Sequence, residues 1–410
     1  MDRRKAITAA AMLAMTGLRD ALGAAVGTTG SMAALGFAEI PDGALAEQVL
    51  HALPGKVPLI KKSYRPPNYE TPIEYFRTPM TPNRAFFVRW HLAAIPQIAL
   101  KDWKLAVGGE SAERQLNFTL NELRTEFTPA QITAVCQCSG NRRGLFEPHV
   151  AGVEWGVGAM GNATWRGVRL KDVLAKAGVE GDALEVQLDG ADHGAIDKTP
   201  DFVKSIPIDM ALSENTLIAF EMNGLPLPHW NGFPARLIVP GWTGTYWVKG
   251  LTSVKVISKP EKNFWMSAAY RLPKGRFKTP SFKSQVGETN EPITTMVVNS
   301  LITSVKSGQQ VPRAKPIEVR GIAWDGGSGI AKVEVSSDGV NWKDAKLGKD
   351  LGKFSFREFA LSVPTKDAGA ALVIMARATS NAGETQVNEL IHNPPGYHHN
   401  VIQRLYVEVV

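Results

Sequence analysis

"AVCQCSGNRRG", Ala134 to Gly144, holds both cysteines of a 410-residue chain. The thiols are one residue apart, and an Asn and two arginines follow at once. Two cysteines cannot build a disulfide framework, and alternate residues of an extended chain are badly placed to bridge each other. Read as a strand, Ile132, Ala134 and Cys136 share one face, with Thr133, Val135 and Gln137 on the other. Cys136 then stands where a small buried apolar residue belongs. Cys138 falls past the strand, at the start of a Ser-Gly-Asn turn, with Arg142 and Arg143 a few residues on. A thiolate there is either a nucleophile or a soft metal ligand. A nucleophile needs a base, and His91, His149, His193 and His229 are available. Zinc does not fit, since no second Cys or paired His stands at ligand spacing. A single thiolate suffices when a cofactor supplies the rest of the shell, as when the two sulfurs of a pterin dithiolene bind molybdenum.

The length suits two domains with substantial cores. Lysine and arginine total 46 against 39 acidic residues, a net charge of +7. No Lys/Arg-rich run or basic helix accompanies that excess, so nucleic acid is not indicated; a small anion or an acidic partner fits. No Cys-x-x-Cys-His predicts attached haem, and no G-x-G-x-x-G or P-loop opens a helix. "MDRRKAITAAAMLAMTG" places Arg3-Arg4 before an Ala-rich apolar stretch, the pattern of a twin-arginine export signal over residues 1–40. Arg19 and Asp20 interrupt that stretch. No later run reaches the ~18 apolar residues a membrane span requires.

From about residue 45 to 85 the chain is Pro-rich and aperiodic ("SYRPPNYETPIEYFRTPMTPNRAFF"), predicting an extended wrap over a folded body. "FFVRWHLAAIP" predicts a short strand. "TLNELRTEF" predicts a helix with a capping box from Thr119 to Glu122. "RLKDVLAKAGV" predicts another, with Leu170, Val173, Leu174 and Ala177 on one face and Gly178 as the stop. "ALEVQLDG", "NTLIAFEMNG", "ARLIVPG" and "VKGLTSVKVIS" read as strands. The class is α+β with a mixed sheet over residues 41–290. Residues 291–410 change texture: "PIEVRGIAWDG", "IAKVEVSSDGVNWKDAKL", "FSFREFALSVP", "ALVIMARATSNAG" and "IQRLYVEVV" are short strands between turn signals. That spacing predicts an all-β sandwich.

"CSGNRRGLF" after a strand resembles the molybdenum-cysteine loop of the sulfite oxidase family. Other stretches agree in order. "FFVRWHLAAIP" resembles the family's pocket segment, and "EMNGLPLP" with "NGFPARLIVPGWTGTYWVKGL" its pterin-binding stretch. "AWDGGSGIAKVEVSSDGVNWKDAKL" resembles its second domain, an immunoglobulin-like sandwich of the dimerisation type. The likeness spans roughly residues 75–410. It implies Cys138 as molybdenum ligand, with one pyranopterin dithiolene and no haem in this chain. It implies Arg89, His91, Tyr270 and Arg143 as catalytic or substrate-channel residues, Arg89 on the substrate anion. Phe87, Arg89, His91, Asp192, Asn231, Arg236, Trp247 and Lys249 are implied around the cofactor, with Arg236 and Lys249 on its phosphate. Asn231 stands where animal members carry His. Those members also place an arginine from the second domain near the substrate, whereas "HNPPGYHHN" here has none.

The resemblance implies oxidation of sulfite to sulfate, with electrons leaving singly to an external c-type cytochrome. It implies a periplasmic enzyme exported folded, as a homodimer or heterodimer. Alternatives are a molybdenum-dependent reductase of a sulfoxide or other small oxyanion, an oxidase passing electrons to oxygen, a secreted binding protein on the same fold, and a cysteine hydrolase.

Overall fold

Pro129–Gln137 forms a strand paired antiparallel with Met160–Arg169 along its whole length. Its alternating residues serve two masters. Ala134 and Cys136 enter the main core of the first lobe. Val135 enters a cluster shared with the second lobe, and Gln137 Oε1 accepts from the Trp324 indole at 2.7 Å. The predicted faces are the observed ones.

The computed structural model describes residues 49–275, 284–287 and 289–410. All lie in one unit, Ala46–Val410. The export segment read over residues 1–40 lies outside the described residues.

Among the described residues three larger sheets build the first lobe, and Arg271–Pro273 pairs with Asn290–Pro292 in a two-stranded one. In one, Leu225–Pro226, Leu217–Met222, Met160–Arg169 and Pro129–Gln137 are adjacent, and Arg236–Ile238 pairs with Leu217–Met222. A second runs Lys204–Pro207, Glu185–Gly190, Leu251–Ile257, Leu105–Gly109, Leu116–Phe118. It is mixed, because Leu251–Ile257 and Leu105–Gly109 run parallel. The helix Leu120–Thr125 carries the complete Thr119–Glu122 capping box. The helix Leu170–Ala177 buries its four apolar positions and ends at Gly178, whose φ of 75° suits glycine.

The third sheet corrects the reading of residues 45–85. Leu50–Ala52, Pro58–Ser63, Asn68–Glu70 and Val88–Arg89 pair antiparallel, with a small core of Leu53, Leu59, Tyr69, Val88 and Trp90. Most of these strands are too short for alternation to show, and proline breaks the pattern between them.

The second lobe has two sheets around one core. Asn299–Ile302, Ile317–Trp324, Arg357–Val363 and Lys346–Leu347 form one; Gln309–Val311, Gln403–Val409, Ala371–Ser380, Ile330–Ser336 and Trp342–Asp344 form the other. Asn299–Ile302 and Gln309–Val311 were not foreseen. The lobes share a buried cluster of Phe76, Val135, Met160, Met296, Leu301, Ile322, Trp324 and Phe356. Polar contacts reinforce it: Asn162 Nδ2 donates to Ser355 Oγ at 2.8 Å and the Val135 amide to the Phe354 carbonyl at 2.9 Å.

Trp324→Ala empties the centre of that cluster and leaves Gln137 without its donor. The expected loss is about 3–5 kcal/mol in stability, read as a lower urea midpoint.

Candidate active site

Cys138 is held where the strand gives way to its turn. Its amide donates to the Ala159 carbonyl at 2.9 Å, and its carbonyl accepts from the Asn141 amide. Asn141 Oδ1 in turn accepts from the Ala159 amide, locking the turn to the neighbouring strand. Arg142 takes φ of 69° and points away from the thiol, donating to the Ser300 carbonyl at 2.6 Å and the Val401 carbonyl at 3.3 Å. It is a brace between the lobes.

The thiol opens on a cleft lined by Phe86, Phe87, Arg89, His91, Cys136, Cys138, Ser139, Trp230, Asn231, Arg236, Gly244, Thr245, Lys249 and Tyr270. Eight residues named from the sequence thus meet there: Phe87, Arg89, His91, Cys138, Asn231, Arg236, Lys249 and Tyr270. They arrive from strands and loops that are distant in the chain. Val88–Arg89 is the edge strand of the small sheet, and Tyr270 has φ of 58°, an uncommon and costly conformation for an aromatic residue.

His91 Nε2 lies 2.5 Å from the Tyr270 hydroxyl, and Arg89 Nη2 reaches the same oxygen at 3.5 Å. Arg89 Nη1 donates to Asn68 Oδ1 and the Trp90 carbonyl. His91 stacks on Phe202 with ring centroids 3.6 Å apart. Burial, then the charges of Arg89, Lys249 and Lys204, push the His91 pKa well down, so the imidazole is neutral. Burial raises the Tyr270 phenol, with Arg89 opposing and Cys138 adding to the rise. Burial works against the Arg89 charge, but Tyr270 and Cys138 outweigh it and the guanidinium keeps its proton.

At the other end, Arg236 donates from Nη1 to the Asn231 carbonyl at 2.8 Å and from Nη2 to the Trp247 carbonyl at 3.0 Å. Its Nη2 also faces the Cys136 sulfur at 3.8 Å, so Cys136 is not only core filler: it lines the cleft. Cys138 continues the alternation of Ala134 and Cys136, which is the signal that could have placed both sulfurs on one side. Lys249 Nζ lies 4.6 Å from the Trp90 ring centre, and burial lowers its pKa to about 8.

Three expected residues are not on the cleft wall. Trp247 packs edge-on to Trp165, its carbonyl accepts from Arg236, and its ring centre lies 5.8 Å from the Arg236 guanidinium carbon. Asp192 is buried, its pKa raised to about 6 by burial with the charge of Lys249 opposing. Arg143 lies to one side, donating from Nε to the Pro395 carbonyl at 3.0 Å and from Nη1 to the Val153 carbonyl at 3.2 Å. Asn231 is committed to protein contacts: Oδ1 accepts from Lys56 Nζ at 2.5 Å and Nδ2 donates to the Phe87 carbonyl at 3.0 Å.

Two buried lysines escaped the sequence reading. Lys56 Nζ also donates to the Asn83 and Phe86 carbonyls, and so holds the Phe86–Phe87 wall. Lys204 Nζ donates to the Trp265 carbonyl at 2.7 Å and lies 4.6 Å from the Tyr246 ring centre and 5.5 Å from that of Tyr270.

Comparison with known proteins now decides the family. Residues 91–265 match the model described as oxidoreductase molybdopterin binding domain, and residues 290–410 the Mo-co oxidoreductase dimerisation domain. Sulfite oxidase of Gallus gallus is 34% identical over 341 residues, covering 79% of this chain and 72% of the relative. The chain belongs to the sulfite oxidase family. Among other members, nitrate reductase [NADH] of Spinacia oleracea is 28% identical over 392 residues, 90% of this chain and 42% of that one. The crystal structure of the sulfane dehydrogenase SoxCD from Paracoccus pantotrophus superposes with a TM-score of 0.72 at 26% identity, over 90% of both chains.

The chain is therefore a molybdenum-molybdopterin oxidoreductase of the sulfite oxidase family, and the cleft fits that cofactor. His91 Nδ1, Arg236 Nε and Thr245 Oγ1 all line it as buried polar atoms without a partner. Such atoms normally find one, and a polar pterin with a phosphate tail supplies them. Among the described residues no three His, Cys, Asp or Glu side chains gather into a metal cage.

Burial pulls Lys56 and Lys204 from the ordinary 10.5 to about 7. Between those values the unfolded chain binds more protons than the folded one, so stability rises with pH and is lost as pH falls toward 7. Lys204→Met removes one contribution. The variant's urea midpoint should climb less steeply than the wild type's from about pH 7 to about pH 10.

Proposed function

We propose that this chain oxidises sulfite to sulfate. Sulfite and water yield sulfate, two protons and two electrons. When bound, molybdenum-molybdopterin supplies the two-electron oxygen-transfer chemistry. Cys138 would hold the metal, while Arg236, Lys249 and Thr245 would hold the pterin and its phosphate. The observation that carries the reading is the meeting of the Arg89 guanidinium, the His91 imidazole and the Tyr270 hydroxyl on the same cleft as the Cys138 thiol.

Arg89 offers fixed charge and directed donors to a small hydrated oxyanion, which lysine does less well. The neutral His91 adds no charge and can take up or return a proton at Nε2 through the Tyr270 hydroxyl. Tyr270, kept as the phenol, can donate to the oxyanion without carrying charge. Phe86, Phe87 and Trp230 limit water at the cleft, which strengthens each of these contacts.

The electrons leave one at a time to a c-type cytochrome. Arg3-Arg4 and the apolar stretch after them support export to the periplasm in folded form. The second lobe, immunoglobulin-like in its strand pattern and matching a dimerisation model, supports a homodimer or a heterodimer with the cytochrome. A second reading, oxidation of sulfane sulfur at the same cleft, is favoured by the likeness to sulfane dehydrogenase.

Protein from a host that makes the pterin should contain about one molybdenum per chain. Its visible spectrum should bleach on anaerobic sulfite and recover with ferricytochrome c, and Cys138→Ser should abolish the bleaching. Bleaching by a sulfane donor but not by sulfite would select the second reading. Arg89→Gln should lower kcat/KM for sulfite by about 10–100-fold, the worth of a lost charged hydrogen bond.

A further inference from the structure

The segment His392–Asn400 was remarkable in the sequence only for what it lacks, an arginine. In the structure it packs against a residue of the cleft wall. Tyr397 belongs to the same buried cluster as Tyr270, together with Leu92, Phe202, Leu272 and Ile293. The two tyrosine rings stack with centroids 5.7 Å apart and planes 23° from parallel. The Arg143 guanidinium carbon lies 5.1 Å from the Tyr397 ring centre. One ring of the second lobe thus touches both a phenol on the cleft and a cation beside it.

That ring is itself fixed. The Tyr397 amide donates to Asn393 Oδ1 and its carbonyl accepts from Asn393 Nδ2, each at 2.9 Å. Arg143 is fixed as closely. A Cβ on Gly140 would stand 2.6 Å from its guanidinium carbon, one on Gly152 2.9 Å from Nη1, and one on Gly396 2.8 Å from its Cγ. Two of its nitrogens are spent on carbonyls, one from each lobe. Its Nη2 hydrogen-bonds no described residue.

We propose that Tyr397 is a positioning residue of the substrate pocket, whose ring face holds the Tyr270 phenol and the Arg143 guanidinium so that both address one small oxyanion. This rests on the sulfite reading above. The second lobe then shapes the anion site with an aromatic face in place of a cation. Stacked rings and a cation over a ring face are orientation-dependent contacts, so an aliphatic side chain of similar bulk fills the space without restoring the geometry.

The test compares Tyr397→Phe, which keeps the face, with Tyr397→Leu, which keeps the bulk. Holoenzyme is titrated with sulfate by calorimetry, and kcat and KM for sulfite are measured alongside melting temperature. Tyr397→Phe should stay within about twofold of wild type, while Tyr397→Leu weakens sulfate and raises KM by about tenfold with a smaller change in kcat. If Tyr397→Leu does not fold, Tyr397→Met takes its place as an adaptable filler without a ring. Leu or Met matching wild type, Phe losing as much as Leu, or a wild type that binds no sulfate would each overturn the proposal. Absence of sulfite turnover in the wild type would instead sink the functional reading, while the sulfate titrations still decide the role of Tyr397.

Discussion

Uncompensated positive charge governs this molecule. Lys56, Arg89, Arg142, Arg143, Lys204, Arg236 and Lys249 surround or brace the cleft, and among the described residues none forms an ion pair with a carboxylate within 4 Å. Burying a cation without a partner is expensive, so each is held by carbonyls, amides or ring faces instead. The carbonyls that accept from Lys56, Arg142, Arg143, Lys204 and Arg236 come from five different segments of the chain. The placing of those segments and the charge of the cleft are one problem with one solution. The unspent part of that charge is what an anionic cofactor and an anionic substrate would meet.

The strand Pro129–Gln137 carries this arrangement across the lobes. One face delivers sulfur to the cleft, and the other delivers Val135 and Gln137 to the second lobe. A shift of one residue would exchange the faces, burying Gln137 at the cofactor and turning thiols toward Trp324. Register is therefore specified twice, once by each lobe.

Much of this was readable from local pattern. The Thr119–Glu122 capping box, the helix Leu170–Ala177 and most strands of the second lobe follow from spacing within one element. The short strands around Asn68–Glu70 did not, because three residues show no period. The cleft was legible where motifs run together in sequence, as in Arg89 with His91 or Arg236 with Lys249. Lys56 and Lys204 were not, since nothing beside them marks a lysine whose partners are carbonyls and an amide as far as 175 residues away. Tyr397 was hidden for the same reason. Asp192 and Trp247, implied around the cofactor by resemblance, are not among the residues lining the cleft; Trp247 packs beside Arg236, which is.

Arg142 and Arg143 have a further consequence, in time rather than in space. Their guanidinium groups bond to the carbonyls of Val401 and Pro395, 259 and 252 residues later in the chain. A ribosome emits the thiol turn 259 and 252 residues before these two braces. The turn cannot complete its hydrogen bonding until the second lobe has been made. A fully formed site therefore awaits synthesis of the second lobe as well as the first.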